Sequence, residues 1–343
     1  MKVSILKALA AASLALALGS CATTNPRPAM ERRTSARDAM AERLDDADTI
    51  TVILVGTSNP MSLDRAQTAT AVFVNGRFFL FDCGDGSERA MEALNLPVAR
   101  LDAIFITHFH ADHFADLGEA IDRSFVMGRR KPLTVYGPTG VRDLVDGFLG
   151  AYAAEFRART DHHGAAMMPP EFAGARSVEF DGDAEGIVVY EEDGVRVSSF
   201  KASHPPIEPN VGYVVEYRGK KVVLSGDTLV TDALRKRAEG AALLVGDAMN
   251  KDLIAAMEQA YREMDNPFMA AVMHDIRDYH MDIRELAELS RDAGVERLAL
   301  HHLSPPPPNR LAMRRYFEGP IRSIYHGRLY AGDDGLAVEI PLD

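Results

Sequence analysis

Residues 107–113 read Thr-His-Phe-His-Ala-Asp-His and follow directly on Leu101-Asp102-Ala103-Ile104-Phe105-Ile106. The apolar, β-branched segment reads as a buried strand. Four metal-capable side chains, His108, His110, Asp112 and His113, therefore arrive together where a strand ends. Side chains two apart in an extended chain share a side, so His108 and His110 can hold one ion. Asp112 and His113 follow as the chain leaves the strand and can turn towards a second. Imidazole nitrogens with a carboxylate oxygen suit zinc, and iron or manganese less selectively. A chain carrying this stretch folds around a metal site.

The motif H-x-H-x-D-H with its preceding Thr resembles the signature of the metallo-β-lactamase superfamily. Further segments match in the family's order: Phe81-Asp82-Cys83-Gly84, His204 in Lys201-Ala202-Ser203-His204-Pro205, Asp227 in Leu224-Ser225-Gly226-Asp227-Thr228, and Leu300-His301-His302-Leu303-Ser304. The resemblance implies an α/β fold, a four-layer αββα sandwich of two βαβ-like halves with ligands at strand ends. It implies His108, His110 and His204 around one ion, Asp112, His113 and His302 around another, and Asp227 bridging them. His302 is chosen over His301 because it shares strand parity with Leu298 and Leu300, and because the family places its ligand just before Leu-Ser. Asp82 is expected to orient a ligand histidine rather than to touch metal. The implied cofactor is two Zn²⁺, with Mn²⁺ or Fe²⁺ possible, and the implied chemistry is ester hydrolysis by attack of a metal-bound hydroxide.

A leaving group also needs a proton. In the tRNase Z and arylsulfatase-like branches, a carboxylate after the strand that follows Gly-Asp-Thr pairs with a His preceding a helix. Here Leu244-Val245-Gly246-Asp247 and Tyr279-His280-Met281-Asp282 match, with Gly246-Asp247 where the family usually shows His-Glu. Asp247 and His280 are thus the candidate proton-donor pair. Asp227 comes only 23 residues after His204, an interval that in tRNase Z usually carries a long RNA-clamping arm. Arg129-Arg130-Lys131-Pro132-Leu133-Thr134-Val135-Tyr136-Gly137-Pro138, the helix around Gly150-Ala151-Tyr152, and the Pro-rich loop after His302 look like the arylsulfatase-like branch. The expectation is hydrolysis of a small aryl sulfate, phosphate ester or phosphodiester. A lactonase or a tRNase Z-like phosphodiesterase of the same fold is the alternative. A redox di-iron protein would need an appended electron-transfer domain, which the 343 residues do not offer.

Composition sets limits. Net charge is −12, and Arg129-Arg130-Lys131 is too short to be a nucleic-acid footprint. Polyanions are normally held by clustered cations, so no nucleic-acid partner is expected, and a homodimer stays open. Lys2, Lys7 and the apolar run through Leu14-Ala15-Leu16-Ala17-Leu18 read as a secretory signal, too short to span a bilayer. Leu18-Gly19-Ser20-Cys21 resembles a bacterial lipobox. This implies a signal over residues 1–20, lipid attachment at Cys21, and a periplasmic, membrane-anchored protein, with Ala22 favouring the outer membrane. Residues 21–48 read as a flexible tether and 49–343 as the catalytic domain. Cys83, left without a partner, reads as a small buried hydrophobe.

Within that domain Asn75-Gly76 signals a type I′ hairpin, and Arg218-Gly219 a second. Helices are expected over Ser87–Leu96, Asp116–Met127, Gly140–Arg159 and Ile283–Ala293. Strands are expected at Val195–Phe200, Leu243–Val245, Arg297–Leu300 and Val338–Pro341. His162 and His163 read as a solvated helix end, and His274 and His326 as structural. The Met167-Met168 pair and Pro305–Pro308 suggest loops over the site, whereas Met273 reads as core filler.

Overall fold

The computed structural model describes residues 27–342; the signal-like segment and Cys21 lie outside the described residues. Two seven-stranded sheets are built from residues 49–341. The first runs in the order β14 (Leu336–Pro341), β1 (Thr49–Gly56), β2 (Ala69–Val74), β3 (Arg77–Phe81), β4 (Leu101–Phe105), β5 (Thr134–Pro138) and β6 (Arg176–Phe180). The second runs β13 (Arg328–Ala331), β12 (Arg297–Ser304), β11 (Leu243–Met249), β10 (Lys220–Leu224), β9 (Val211–Tyr217), β8 (Val195–Lys201) and β7 (Val188–Glu192). In each sheet an antiparallel portion built on a two-residue hairpin passes into parallel strands, β3 to β6 and β10 to β13. Parallel strands need helical crossovers and are covered on both faces, which is why β4 and β12 are buried almost throughout.

Three hydrophobic clusters fix the layering. One contains inward residues of both sheets, including Val52, Phe81, Phe105, Tyr213, Val245 and Val338. A second joins the outer face of the first sheet to helices α2 (Ser87–Ala93), α3 (Leu117–Val126) and α4 (Val141–His163). The third joins the outer face of the second sheet to α5 (Asp232–Ala238) and α8 (Ile283–Asp292). The order helix, sheet, sheet, helix is the expected αββα sandwich. Helices α6 (Lys251–Glu263) and α7 (Pro267–Asp275) form a hairpin with a small core of their own, around Met249, Ile254 and Met273. Glycines in left-handed conformation close the hairpins at Asn75-Gly76 and Arg218-Gly219.

Helix α1 (Arg27–Asp45) stands where the sequence suggested a tether. It has little apolar periodicity, so the pattern that usually reveals a helix is missing. Its Ala, Arg, Glu and Met are strong helix formers, and Pro28 sits in the first turn, where proline is tolerated. From Met40 onwards it belongs to the same unit as the sandwich. Leu44 is fully buried there, and Asp45 pairs with Arg100 at 2.6 Å.

Phe105 is the centre of the inter-sheet layer, just before the histidine run. Its ring stacks on Phe81 and Tyr136, with centroids 4.8 and 4.9 Å away, and meets Phe79 and Tyr213 edge-on. The Tyr213 hydroxyl crosses to the first sheet and donates to the Ile106 carbonyl at 2.6 Å, and the Val211 N–H donates to the Thr107 carbonyl at 3.1 Å. The end of β4 is therefore tied to the second sheet. Phe105→Ala should cost about 3–5 kcal/mol, measured by urea unfolding; a loss below about 1 kcal/mol would show that this layer does not anchor β4.

Candidate metal centre

All the expected ligands converge at the carboxyl ends of β4, β8, β10 and β12, with Asp82 at that of β3, where open α/β sheets place their sites. Gly84 explains the early Asp-x-Gly. A Cβ there would lie 2.0 Å from the Asp112 carbonyl oxygen, so only glycine lets the Asp82 loop rest against the metal-binding turn. The Cys83 N–H then donates to the His113 carbonyl at 2.8 Å. Cys83 itself is a free, fully buried thiol, as expected.

Asp82 organises the first sheet's contribution. One carboxylate oxygen accepts the Thr107 N–H at 2.8 Å. The other accepts the Thr107 hydroxyl at 2.8 Å and lies 2.8 Å from Nδ1 of His113. The hydroxyl has one proton. Giving it to the carboxylate leaves its oxygen to accept from Nδ1 of His108, 3.0 Å away. In His108 this fixes the tautomer with the proton on Nδ1 and the lone pair on Nε2, and in His113 it turns Nε2 towards Asp227. His204 is set in the same way, with Nδ1 donating to the Tyr279 carbonyl at 2.9 Å.

Two groups of ligand atoms result. Nδ1 of His110 lies 3.2 Å from Nε2 of His108 and 3.1 Å from Nε2 of His204. The Nε2 atoms of His108 and His204 carry lone pairs and have no proton to share, so the cluster is a cradle for a cation. In the second group, Nε2 of His302 is 3.1 Å from carboxylate oxygens of both Asp112 and Asp227, and Nε2 of His113 is 3.2 Å from Asp227. The remaining Asp227 oxygen is buried with no hydrogen-bond partner among the described residues, as a carboxylate with a further contact to make would be. The donor set, three imidazoles in one group and two imidazoles with two carboxylates in the other, fits divalent metal.

Electrostatics separate the two groups. Burial lowers the pKa of His108 far below its ordinary value and that of His204 to about 4, so both rings are neutral and free to ligate at neutral pH. For His302 burial alone would also favour the neutral ring, but Asp227, with Asp112 and Asp247, outweighs it and raises the pKa to about 10. Asp112, although burial opposes its charge, is held down to about 2 by His113 and His302.

Asp247 and His280 do meet. The Asp247 carboxylate is fully buried and lies 2.8 Å from Nδ1 of His280, so the shorter side chain reaches the imidazole without the family's Glu. Its second oxygen is 3.4 Å from Nδ1 of His302. His301 points elsewhere; it is buried, with no partner for either ring nitrogen, and desolvation lowers its pKa to about 4. The parity argument for His302 fails even though the residue lies in the cluster. Leu298 and Leu300 belong to the helix-side core, and His302 reaches the site because its backbone is left-handed (φ 47°) after a register shift against β11.

A cavity of about 270 Å³ opens over these groups, lined by His110, Asp112, His204, Asp227, His280 and His302, with Asn59, Met61, Met273, Ile276 and Tyr279 among the other walls. Met167, Met168 and Pro305–Pro308 do not line it. Met273 does, so it is more than core filler. The signals missed were the 3–4 spacing of Ile254, Met257 and Tyr261, and of Met269 and Met273, which marks the apolar faces of α6 and α7. His162 and His163 end α4 exposed, before Gly164, as a solvated terminus.

Residues 77–303 match the family model described as the beta-lactamase superfamily domain. The chain belongs to the metallo-β-lactamase superfamily. Ribonuclease Z of Mycobacterium marinum is 34% identical over 299 residues, covering 85% of this chain and 99% of that protein. Among solved structures, the metallo-β-lactamase fold protein YhfI from Bacillus subtilis superposes with a TM-score of 0.60 at 18% identity, over 85% of this chain and all of that one. The short form of human tRNase Z gives 0.57 at 21% identity, over 85% and 99%; these two likenesses show the fold. The protein is a metal-dependent hydrolase of ester bonds, close to the ribonuclease Z proteins. The arylsulfatase-like branch expected from the sequence is less well supported than the phosphodiesterase alternative. The expectation of no nucleic-acid partner likewise conflicts with relatives named as ribonucleases.

Asp82→Asn keeps a residue tolerant of the left-handed backbone at that position (φ 56°), yet removes the charge that orients His113. Metal affinity should fall roughly 10–100-fold in competition with a chromophoric chelator, and unchanged affinity would contradict the orienting role. The metal-free protein should also be sensitive to alkali. A folded-state pKa of about 10 for His302, above the ordinary imidazole value of 6.5, gives stability that is complete below 6.5 and is lost as pH rises through 10. The melting temperature of chelator-treated protein should fall across that window, and a flat profile would remove the His302–carboxylate pairing.

Proposed function

We propose that this chain is a phosphodiesterase that holds two divalent ions, zinc foremost, and cleaves small phosphodiesters. The observation that carries the reading is the full-length likeness to ribonuclease Z together with the His280–Asp247 pair beside the ligand cluster. In this reading His108, His110 and His204 would hold one ion, and Asp112, His113, His302 and Asp227 the other. The bound ions supply Lewis acidity and a nucleophile at neutral pH.

The remaining work falls to the chain. Nδ1 of His280 is committed to Asp247, so Nε2 is the nitrogen available to the cavity. From there it protonates the leaving oxygen while the buried Asp247 carboxylate steadies the ring. Asp82, Thr107 and the Tyr279 carbonyl keep His113, His108 and His204 in ligating tautomers.

A small substrate is favoured over a folded RNA by three features. The interval from His204 to Asp227 is taken up by the β9–β10 hairpin, the cavity is only about 270 Å³, and the chain carries a net charge of −12. The ribonuclease name of the relatives favours RNA as the second reading. Export and lipid attachment at Cys21 complete the proposal, and they place the chain away from RNA precursors.

Bis(p-nitrophenyl) phosphate should be hydrolysed by the zinc-loaded protein, and p-nitrophenyl sulfate and a precursor tRNA should not. Turnover of the sulfate alone would sink the phosphodiester reading. Asp247→Asn should slow diesters with alkyl leaving groups about 10²–10⁴-fold and p-nitrophenyl diesters much less, since nitrophenolate departs without a proton. Equal losses would remove His280 as the proton donor.

A further inference from the structure

The cavity has two unlike sides. Its floor is the imidazole and carboxylate cluster. Its opposite wall is apolar, made by Met61, Met249, Val272, Met273 and Ile276. These side chains belong to the small core of the α6–α7 hairpin, in which Met249 and Met273 are buried while Met61, Val272 and Ile276 stay partly open. A core that serves only to pack a hairpin closes on itself. This one leaves three apolar side chains half covered, on the side where the reacting centre lies.

The wall is also fixed in place. Glu258 on α6 pairs with Arg262 at 2.5 Å and with Arg277, and lies 3.5 Å from His274, tying α6 to the turn after α7. The Asn266 side chain caps α7 by accepting the Met269 N–H at 3.1 Å. The same stretch then runs through Tyr279 into His280, whose rings lie 4.7 Å from that of His204. Three wall residues, Val272, Met273 and Ile276, thus lie on one continuous segment with the proton donor, and the group that His280 protonates is the group that meets the wall.

We infer that residues 272–276, with Met61 and Met249, form a leaving-group subsite that selects an aromatic or branched apolar substituent on the scissile ester. Three thioethers suit an aromatic ring, because sulfur is polarisable and packs well at ring edges. The volume, below the roughly 300–1,000 Å³ of ordinary ligand pockets, admits one ring-sized group and not a run of stacked bases. This inference rests on the hydrolase reading of the centre and adds what the ester carries.

The test is calorimetric binding of phenylphosphonate and methylphosphonate to the zinc-loaded protein, with hydrolysis of bis(p-nitrophenyl) phosphate assayed separately. The phenyl compound should bind at least about 10-fold more tightly. Ile276→Asn should bring the two affinities to within about twofold, Val272→Ala should narrow the gap, and Ile276→Leu should keep it. Equal affinity for the two phosphonates in the wild type overturns the subsite, as does a phenyl preference that Ile276→Asn and Val272→Ala leave intact. If the preference is present but no phosphodiester is hydrolysed, the subsite stands and the proposed reaction falls.

Discussion

The centre depends on one buried carboxylate. Asp82 sits at the end of β3 with a left-handed backbone, almost fully out of solvent, where an unpaired charge would be costly. It is satisfied by the Thr107 amide, the Thr107 hydroxyl and Nδ1 of His113. Each of those bonds sets something further along: the amide places the end of β4, the hydroxyl orders His108, and the imidazole is turned so that its second nitrogen faces Asp227. Gly84 makes this possible by letting the loop press against the Asp112 backbone. Metal geometry in this protein is therefore decided by a residue outside both ligand groups.

The second dependence is between the sheets. His108, His110, Asp112 and His113 come from the first sheet, whereas His204, Asp227 and His302 come from the second. Their separations of about 3 Å hold only if the sheets cannot slide. Phe105 and its aromatic neighbours fill the space between them, and hydrogen bonds from Tyr213 and Val211 cross to Ile106 and Thr107. Packing and polar bonds act at the same point, immediately before the first ligand. The excess of buried carboxylate in the second cluster is matched by His113 and His302, whose pKa values those carboxylates raise.

Much of this was legible in the sequence because short-range rules govern it. The strand before Thr107, the two glycine hairpins and the helices over Ser87–Ala93 and Leu117–Val126 follow from periodicity and turn chemistry. The residues that cluster were found by their spacing and family resemblance. What stayed hidden was set by tertiary context. Helix α1 has propensity without an apolar stripe, so composition alone suggested a tether. His302 enters the site through a backbone twist that no parity rule contains. The α6–α7 hairpin carries an apolar spacing that marks its helices, but that Met273 faces a cavity as well as a core leaves no mark in sequence. The missing arm between His204 and Asp227 was correctly read as a short hairpin. A short hairpin there does not by itself separate the chain from relatives named ribonuclease Z, one of which matches over 99% of its length.

The proposed hydrolytic centre requires two ions in two places. Elemental analysis of purified protein, followed by anomalous diffraction at the zinc edge, tests it most directly. The expected result is about two zinc per chain and two separate peaks, one amid His108, His110 and His204, the other amid Asp112, His113 and His302. A metal-free protein after zinc loading, or a single peak away from these six side chains, would contradict it.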